Sequence, residues 1–202
     1  MSDLTTLADV RLHQQRTDTG NTTQDAIISA LISTASYMVQ DFLQRRFDVA
    51  GTAGTPVSRL FRYDGRGVLN LAPFDLQSVS SVVVDSDTDS PTTLTSDEYR
   101  LWPIPSEWGV YSHLHLVGIS NERGVADYPM YREVEVSGVW GWSAVPDVVE
   151  RATIMLTLEL LSRTSSWKND AFDALSTSGG GVSIPLHLRM MLAPYRRHSS
   201  GV

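Results

Sequence analysis

The sequence predicts an α+β fold: a helical bundle of N-terminal and post-sheet helices, with an inserted antiparallel β subdomain and an extended C-terminal arm. Three observations carry it. Apolar residues recur every three or four positions from Gln24 to Arg46 and again after Pro146, the period of a helix with one buried stripe. Between them, over about residues 56–142, short runs rich in Val, Leu, Tyr and Trp are separated by Gly, Pro, Ser and Asp, as short strands are. Past Arg163 the chain turns polar, reaches a glycine run at 179–181 and finishes in an apolar, basic peptide.

Taken in order, Thr6 caps a short helix over residues 6–15, and "RTDTGNTT" is a loop with a second cap at Thr22 or Thr23. The long helix over 24–46 lays down the stripe Ile27, Leu31, Ala35, Met38 and Phe42. Its other face, with Ser29, Ser33, Ser36 and Gln40, is polar but scarcely charged, which suits packing against another surface; an ordinary Ser- and Thr-rich exterior is the alternative. "VSRLFRYDGRGVLNLAPF" is expected to form a hairpin turning near Asp64 and Gly65, with further strands at "SVSSVVVD", "YRLWP", "HLHLVGI" and "REVEVSGVWGW". Six such strands need a twisted sheet or small barrel. The helix over 146–163 starts at Pro146, whose missing N–H costs nothing in the first turn, and Asp147 and Glu150 set negative charge at the positive end of its dipole. Its stripe is Val148, Val149, Ala152, Met155, Leu156 and Leu160. Residues 1–163 are therefore expected to form one domain, with 164–202 a C-terminal extension holding a helical piece at Ala171–Leu175, the glycine linker and the arm.

Composition narrows the function classes. With 202 residues, 42% of them hydrophobic, the chain can bury a sizeable core. Its 16 Lys and Arg against 23 Asp and Glu leave a net charge of −7, which opposes gripping nucleic acid by its phosphates. The absence of Cys excludes disulfides, thiolate metal sites and a cysteine nucleophile. The N-terminus has no basic start followed by an apolar core, and no run of about eighteen apolar residues occurs, so a soluble chain without a membrane role is expected.

Catalytic and metal motifs are incomplete. "DSDTDSP", Asp85–Pro91, spaces carboxylates like the start of a calcium loop, but Ser90 stands where that loop turns on Gly and Ser96 where it needs a bidentate Glu; a solvated turn is expected. His113 and His115 share one face of a strand without a third ligand nearby, which favours an exposed strand face over a metal site. "SGGGVS" lacks the Lys of a phosphate loop, no Ser sits in a nucleophile elbow, and nothing brings Asp97, Glu98 and Glu107 together. The expectation is no enzyme, no cofactor and no metal.

Two segments stand out instead. In "SGVWGWSAVPDVVERA", Gly138 and Gly141 permit close backbone approach or a bend, and Trp140 and Trp142 can cover a strand-to-helix corner completed by Pro146 and Asp147. In "VSIPLHLRMMLAPYRRHSSGV", Leu186, Leu188, Met190, Met191, Leu192 and Tyr195 are interleaved with Arg189, Arg196 and Arg197, and no acidic residue follows Asp173. Such a peptide, tethered to an acidic body, is expected to dock on another surface; folding back on its own domain is the alternative.

The order of these pieces resembles the head–tail connector (adaptor, or head-completion) proteins of tailed bacteriophages. The resemblance runs through "LADVRLH", "AIISALISTASYMVQDFLQRRF", the β region, the corner "GVWGW", the helix start "VPDVVERATIMLTLELL" and the terminal "MLAPYRR", nearly the whole chain. The long β region and the extension after Arg163 depart from the simpler members. The resemblance implies a virion protein, made in the host cytoplasm, that forms a homo-oligomeric ring of expected twelvefold stoichiometry beneath the portal protein. Such a ring extends the DNA channel without binding DNA specifically and offers a docking surface to the tail or a stopper protein. The arm would then anchor the portal, with Arg189, Arg196 and Arg197 pairing with carboxylates and Leu188, Met191 and Leu192 filling grooves. Two rivals remain: a β-rich module that binds sugar or peptide on Trp102, Trp108, Trp140 and Trp142, and a metal enzyme built on His113 and His115.

Overall fold

The computed structural model describes residues 2–15, 22–47, 55–63, 67–87, 89–103, 108–117, 132–166 and 183–197. Two compact units divide the chain, Met1–Phe47 with Val145–Val202 and Asp48–Ala144, so a β unit is inserted into a helical unit. The architecture is α+β with antiparallel sheets.

In the helical unit, α1 spans Leu7–His13 and α2 Thr22–Leu43. Thr6 caps α1 reciprocally: its hydroxyl accepts the Asp9 N–H at 3.2 Å and the Asp9 carboxylate accepts the Thr6 N–H at 3.3 Å. Arg11 of α1 pairs with Asp25 of α2. The buried stripe of α2 is Ile28, Ile32, Ala35, Ser36, Val39, Gln40 and Leu43, one residue out of phase with the expected one; Ile27 is 46% exposed. Ser36 and Gln40 are buried because distant backbone groups need them. The Ser36 hydroxyl accepts the Leu4 N–H at 3.0 Å, and the Gln40 amide donates to Ser2 O and accepts from the Phe47 N–H. The helix stops at Leu43, short of Arg46, where Gln44 turns to a positive φ of 53°.

By length and composition α2 is apolar enough to cross a bilayer, with a mean hydropathy of 1.3 in its best window. Its buried stripe gives that apolarity another use, as the core of the helical unit. Helix α3, Asp147–Ser166, packs against α1 and α2, joining Ile154, Leu158 and Leu161 to Val10, Ile28 and Ile32. Thr153 and Thr157, both fully buried, donate their hydroxyls to the carbonyls of Val149 and Thr153 at 2.8 Å, so neither hydroxyl is left without a partner. Val148 and Met155, expected in the stripe, are each 37% exposed.

The β unit holds two sheets. Strands β1 (Val57–Tyr63), β7 (Arg132–Trp140), β3 (Leu76–Val84) and β4 (Thr92–Thr93) form one, in the order β1-β7-β3-β4. Strands β2 (Val68–Asn70), β6 (His113–Leu116) and β5 (Tyr99–Trp102) form the other, in the order β2-β6-β5. The expected hairpin of β1 with β2 is not made. β1 pairs with β7 from Val57 opposite Gly138 to Tyr63 opposite Arg132, while β2 pairs with β6. Long-range pairing wins because it places Tyr63, Val134, Val136, Val82 and Val84 in one core with Leu69 and Leu114 of the second sheet.

The C-terminal peptide is not extended over its described part. Leu186–Leu192 is a helix, α4, followed by a 3-10 turn at Ala193–Tyr195, and it belongs to the helical unit. The helical piece expected at 171–175 and the glycine linker at 179–181 lie outside the described residues.

Candidate functional site

The helix α4 follows Ile184 and Pro185, and alternation of its faces decides which residues are available. Leu188 and Leu192, four apart, are buried at 1% and 0% exposure against α3, whereas Leu186 and Met190 are 73% and 69% exposed. Met191 and Tyr195 are half-buried. The segment is also tied by hydrogen bonds: the Arg197 N–H donates to Leu43 O at 3.0 Å, and Arg45 Nε donates to Tyr195 O at 2.8 Å. Arg196 places its guanidinium 5.2 Å from the Phe42 ring centre, and Arg189 Nε donates to Ile184 O at 2.7 Å.

Physical reasons therefore split the expected arm in two. Leu188, Leu192 and Arg197 are spent inside this chain, so they cannot fill grooves of another protein while the helical unit is closed. Leu186, His187, Arg189, Met190 and Arg196 remain on the outside, an apolar and basic patch on an acidic chain.

At the corner, Gly138 sits between Val57 and Val79 in the centre of its sheet; a Cβ there would lie 2.2 Å from Ser78 O. Gly141 has φ 89° and its N–H donates to Asp75 O at 2.7 Å. The Trp140 indole N–H donates to Val57 O at 2.7 Å, and its ring packs against Phe61 and Phe74, with the Arg59 guanidinium 3.7 Å from the Phe74 ring centre. The Trp142 indole N–H donates to Asp75 Oδ2 at 2.8 Å. Trp140 and Trp142 belong to the β unit, while Pro146 and Asp147 belong to the helical unit, where Pro146 O accepts the first N–H groups of α3.

The tryptophan platform is thereby corrected. Trp140 and Trp142 are each 3% exposed with their N–H groups used, and Trp108 is half-buried against Trp142 at 5.9 Å. Trp102 is 49% exposed. The histidine pair is also changed: His113 is buried at 6% exposure and its Nδ1 lies 2.9 Å from the Ser112 hydroxyl, so it is not on an exposed face. Among the described residues no three His, Cys, Asp or Glu side chains are grouped as metal ligands require.

Sequence reasoning missed Asp75 and Arg45, and it placed Ser36 and Gln40 on the face opposite the apolar stripe without their partners. Each binds a backbone or indole group far along the chain, and no local spacing marks such a partner.

No family model and no curated protein matches this chain. A solved structure does. A chain of the "Neck of empty GTA particle computed with C6 symmetry" superposes with a TM-score of 0.51 at 16% identity, covering 96% of this chain and 91% of that one. The two share a fold.

Proposed function

We propose that this chain is a structural, non-catalytic protein of the neck of a phage-like particle, where copies form a ring between the portal and the tail. The observation that carries the reading is the likeness of fold, over nearly the whole of both chains, to a neck chain of a GTA (phage-like gene transfer agent) particle. The order of sequence elements, from "LADVRLH" to "MLAPYRR", resembles the same class. In this reading DNA passes through the ring unbound, and the net charge of −7 fits, because a basic lining would hold phosphates. The tail or a stopper protein docks on the other side.

Portal docking falls to the outer face of α4. Leu186 and Met190 supply the apolar contact, Arg189 and Arg196 the pairing with portal carboxylates, and Leu188, Leu192 and Arg197 fix the helix to its own body. Electron microscopy of the purified chain mixed with its portal tests both statements. Portal rings gain a second tier with the native chain and lose it with Leu186→Glu/Met190→Glu. A second tier with both proteins moves the anchor elsewhere, and none with either rejects the neck role.

A further inference from the structure

We propose that the outer face of the β2-β6-β5 sheet is the seat for the acidic β3–β4 turn of a neighbouring copy of this chain. The inference rests on the ring reading above and adds the contact by which one copy holds the next.

Register defines the face. Side chains opposite one another in antiparallel strands share a face, and the row Val68–His115–Arg100, with Asn70 and Trp102 on either side of a buried His113, alternates with Leu69–Leu114–Leu101, which enters the core. Arg100 is exposed and makes no ion pair among the described residues. Glu98, which precedes β5, is turned to Thr95: its carboxylate accepts the Thr95 N–H at 2.7 Å and the Thr95 hydroxyl at 2.9 Å. Trp102, 49% exposed, lies with its ring 5.6 Å from that of His115. An exposed guanidinium without an ion pair, beside an open indole and an imidazole, suits a short acidic segment carrying some apolar surface.

Charge selects the occupant. One Arg and one His on a chain of net charge −7 are too few to hold a nucleic-acid backbone, whose binding needs several cations acting together. An acidic turn requires only one or two. The β3–β4 connection provides it: Asp87 and Asp89 are exposed and make no hydrogen bond or ion pair among the described residues, and the exposed Pro91 at the foot of the same turn offers a flat apolar surface to an indole. Every copy carries both the seat and the turn, so each gives one contact and takes another. That is the heterologous arrangement which closes into a ring.

The chain has no Cys, which makes the test direct. Two single variants, Ser90→Cys in the turn and Val117→Cys beside His115 at the edge of the seat, leave Asp87, Asp89, Arg100 and Trp102 in place. Both are mixed in equal amounts on purified portal rings, oxidised mildly and run on a non-reducing gel. The expected result is a cross-linked dimer at least tenfold more abundant in the mixture than with either variant alone. In parallel, Arg100→Glu should remove most of the second tier seen by microscopy, and Arg100→Glu combined with Asp87→Arg should restore it. A full second tier without cross-links, and unaffected by Arg100→Glu, overturns the seat while leaving the neck role intact. Absence of a second tier with the native chain overturns both.

Discussion

The buried carboxylate of Asp75 and the indole of Trp142 meet at 2.8 Å, across 67 residues of chain, while the Asp75 carbonyl takes the N–H of Gly141. A single residue thus holds the end of β7 by side chain and backbone together. Asp75 is fully buried, so its removal leaves the indole N–H without a partner and without water. Asp75→Ala should lower the unfolding free energy by about 1–3 kcal/mol, read from urea denaturation followed by tryptophan fluorescence.

At Gly138 of β7 an added Cβ would lie 2.2 Å from Ser78 O of β3. The atom facing an added methyl is a backbone oxygen, which cannot rotate away, so the strands must separate. Gly138→Ala should cost roughly 3 kcal/mol, at the upper end of the range for overpacking, and the loss appears in the same denaturation experiment.

The two faces of α4 should respond oppositely to truncation. Leu188→Ala opens a cavity against α3 and is expected to cost about 2–5 kcal/mol of stability. Met190→Ala, on the exposed side, should change stability by less than about 0.5 kcal/mol. Portal binding is expected to weaken for Met190→Ala, and thermal unfolding alongside a portal pull-down separates the two effects.

Glu98 links the fold to pH. Hydrogen bonds from the Thr95 backbone and then the Thr95 hydroxyl hold its carboxyl below the usual carboxylate range. The ionised form is the one the fold favours, so the contribution is complete at neutral pH and disappears as pH falls through the lowered value. The difference in urea midpoint between the native chain and Glu98→Gln should be constant down to about pH 5 and shrink below about pH 4. A difference that grows on acidification contradicts this.

Fold class and the order of elements were legible because period and punctuation are local properties. Thr6 with Asp9, Pro146 before α3 and the alternating strands each announce themselves within a few residues. The phase of α2 was not legible, since Ile27–Ile28, Leu31–Ile32, Met38–Val39 and Phe42–Leu43 are apolar pairs that support either of two adjacent stripes. The tie is broken by Leu4 and Phe47, whose N–H groups require Ser36 and Gln40 on the inner side. Likewise the spacing of β1 and β2 suggested a hairpin, and only the distant partners β7 and β6 separate them into different sheets. At the C-terminal helix the residue types were read correctly as apolar and basic, but composition cannot say which of Leu186 and Leu188 faces inward.

The bonds from Arg197 to Leu43 and from Arg45 to Tyr195 bear on how the chain is made. A ribosome releases α1 and α2 first, then the entire β unit, and only afterwards α3 and α4, which complete the helical unit. The β unit can fold while α2 still waits with its inner stripe bare, so the helical unit is the last to close. A chain interrupted shortly before residue 197 would carry a finished β unit on an unfinished helical one, whose bare apolar stripe makes it a target for chaperones and proteases.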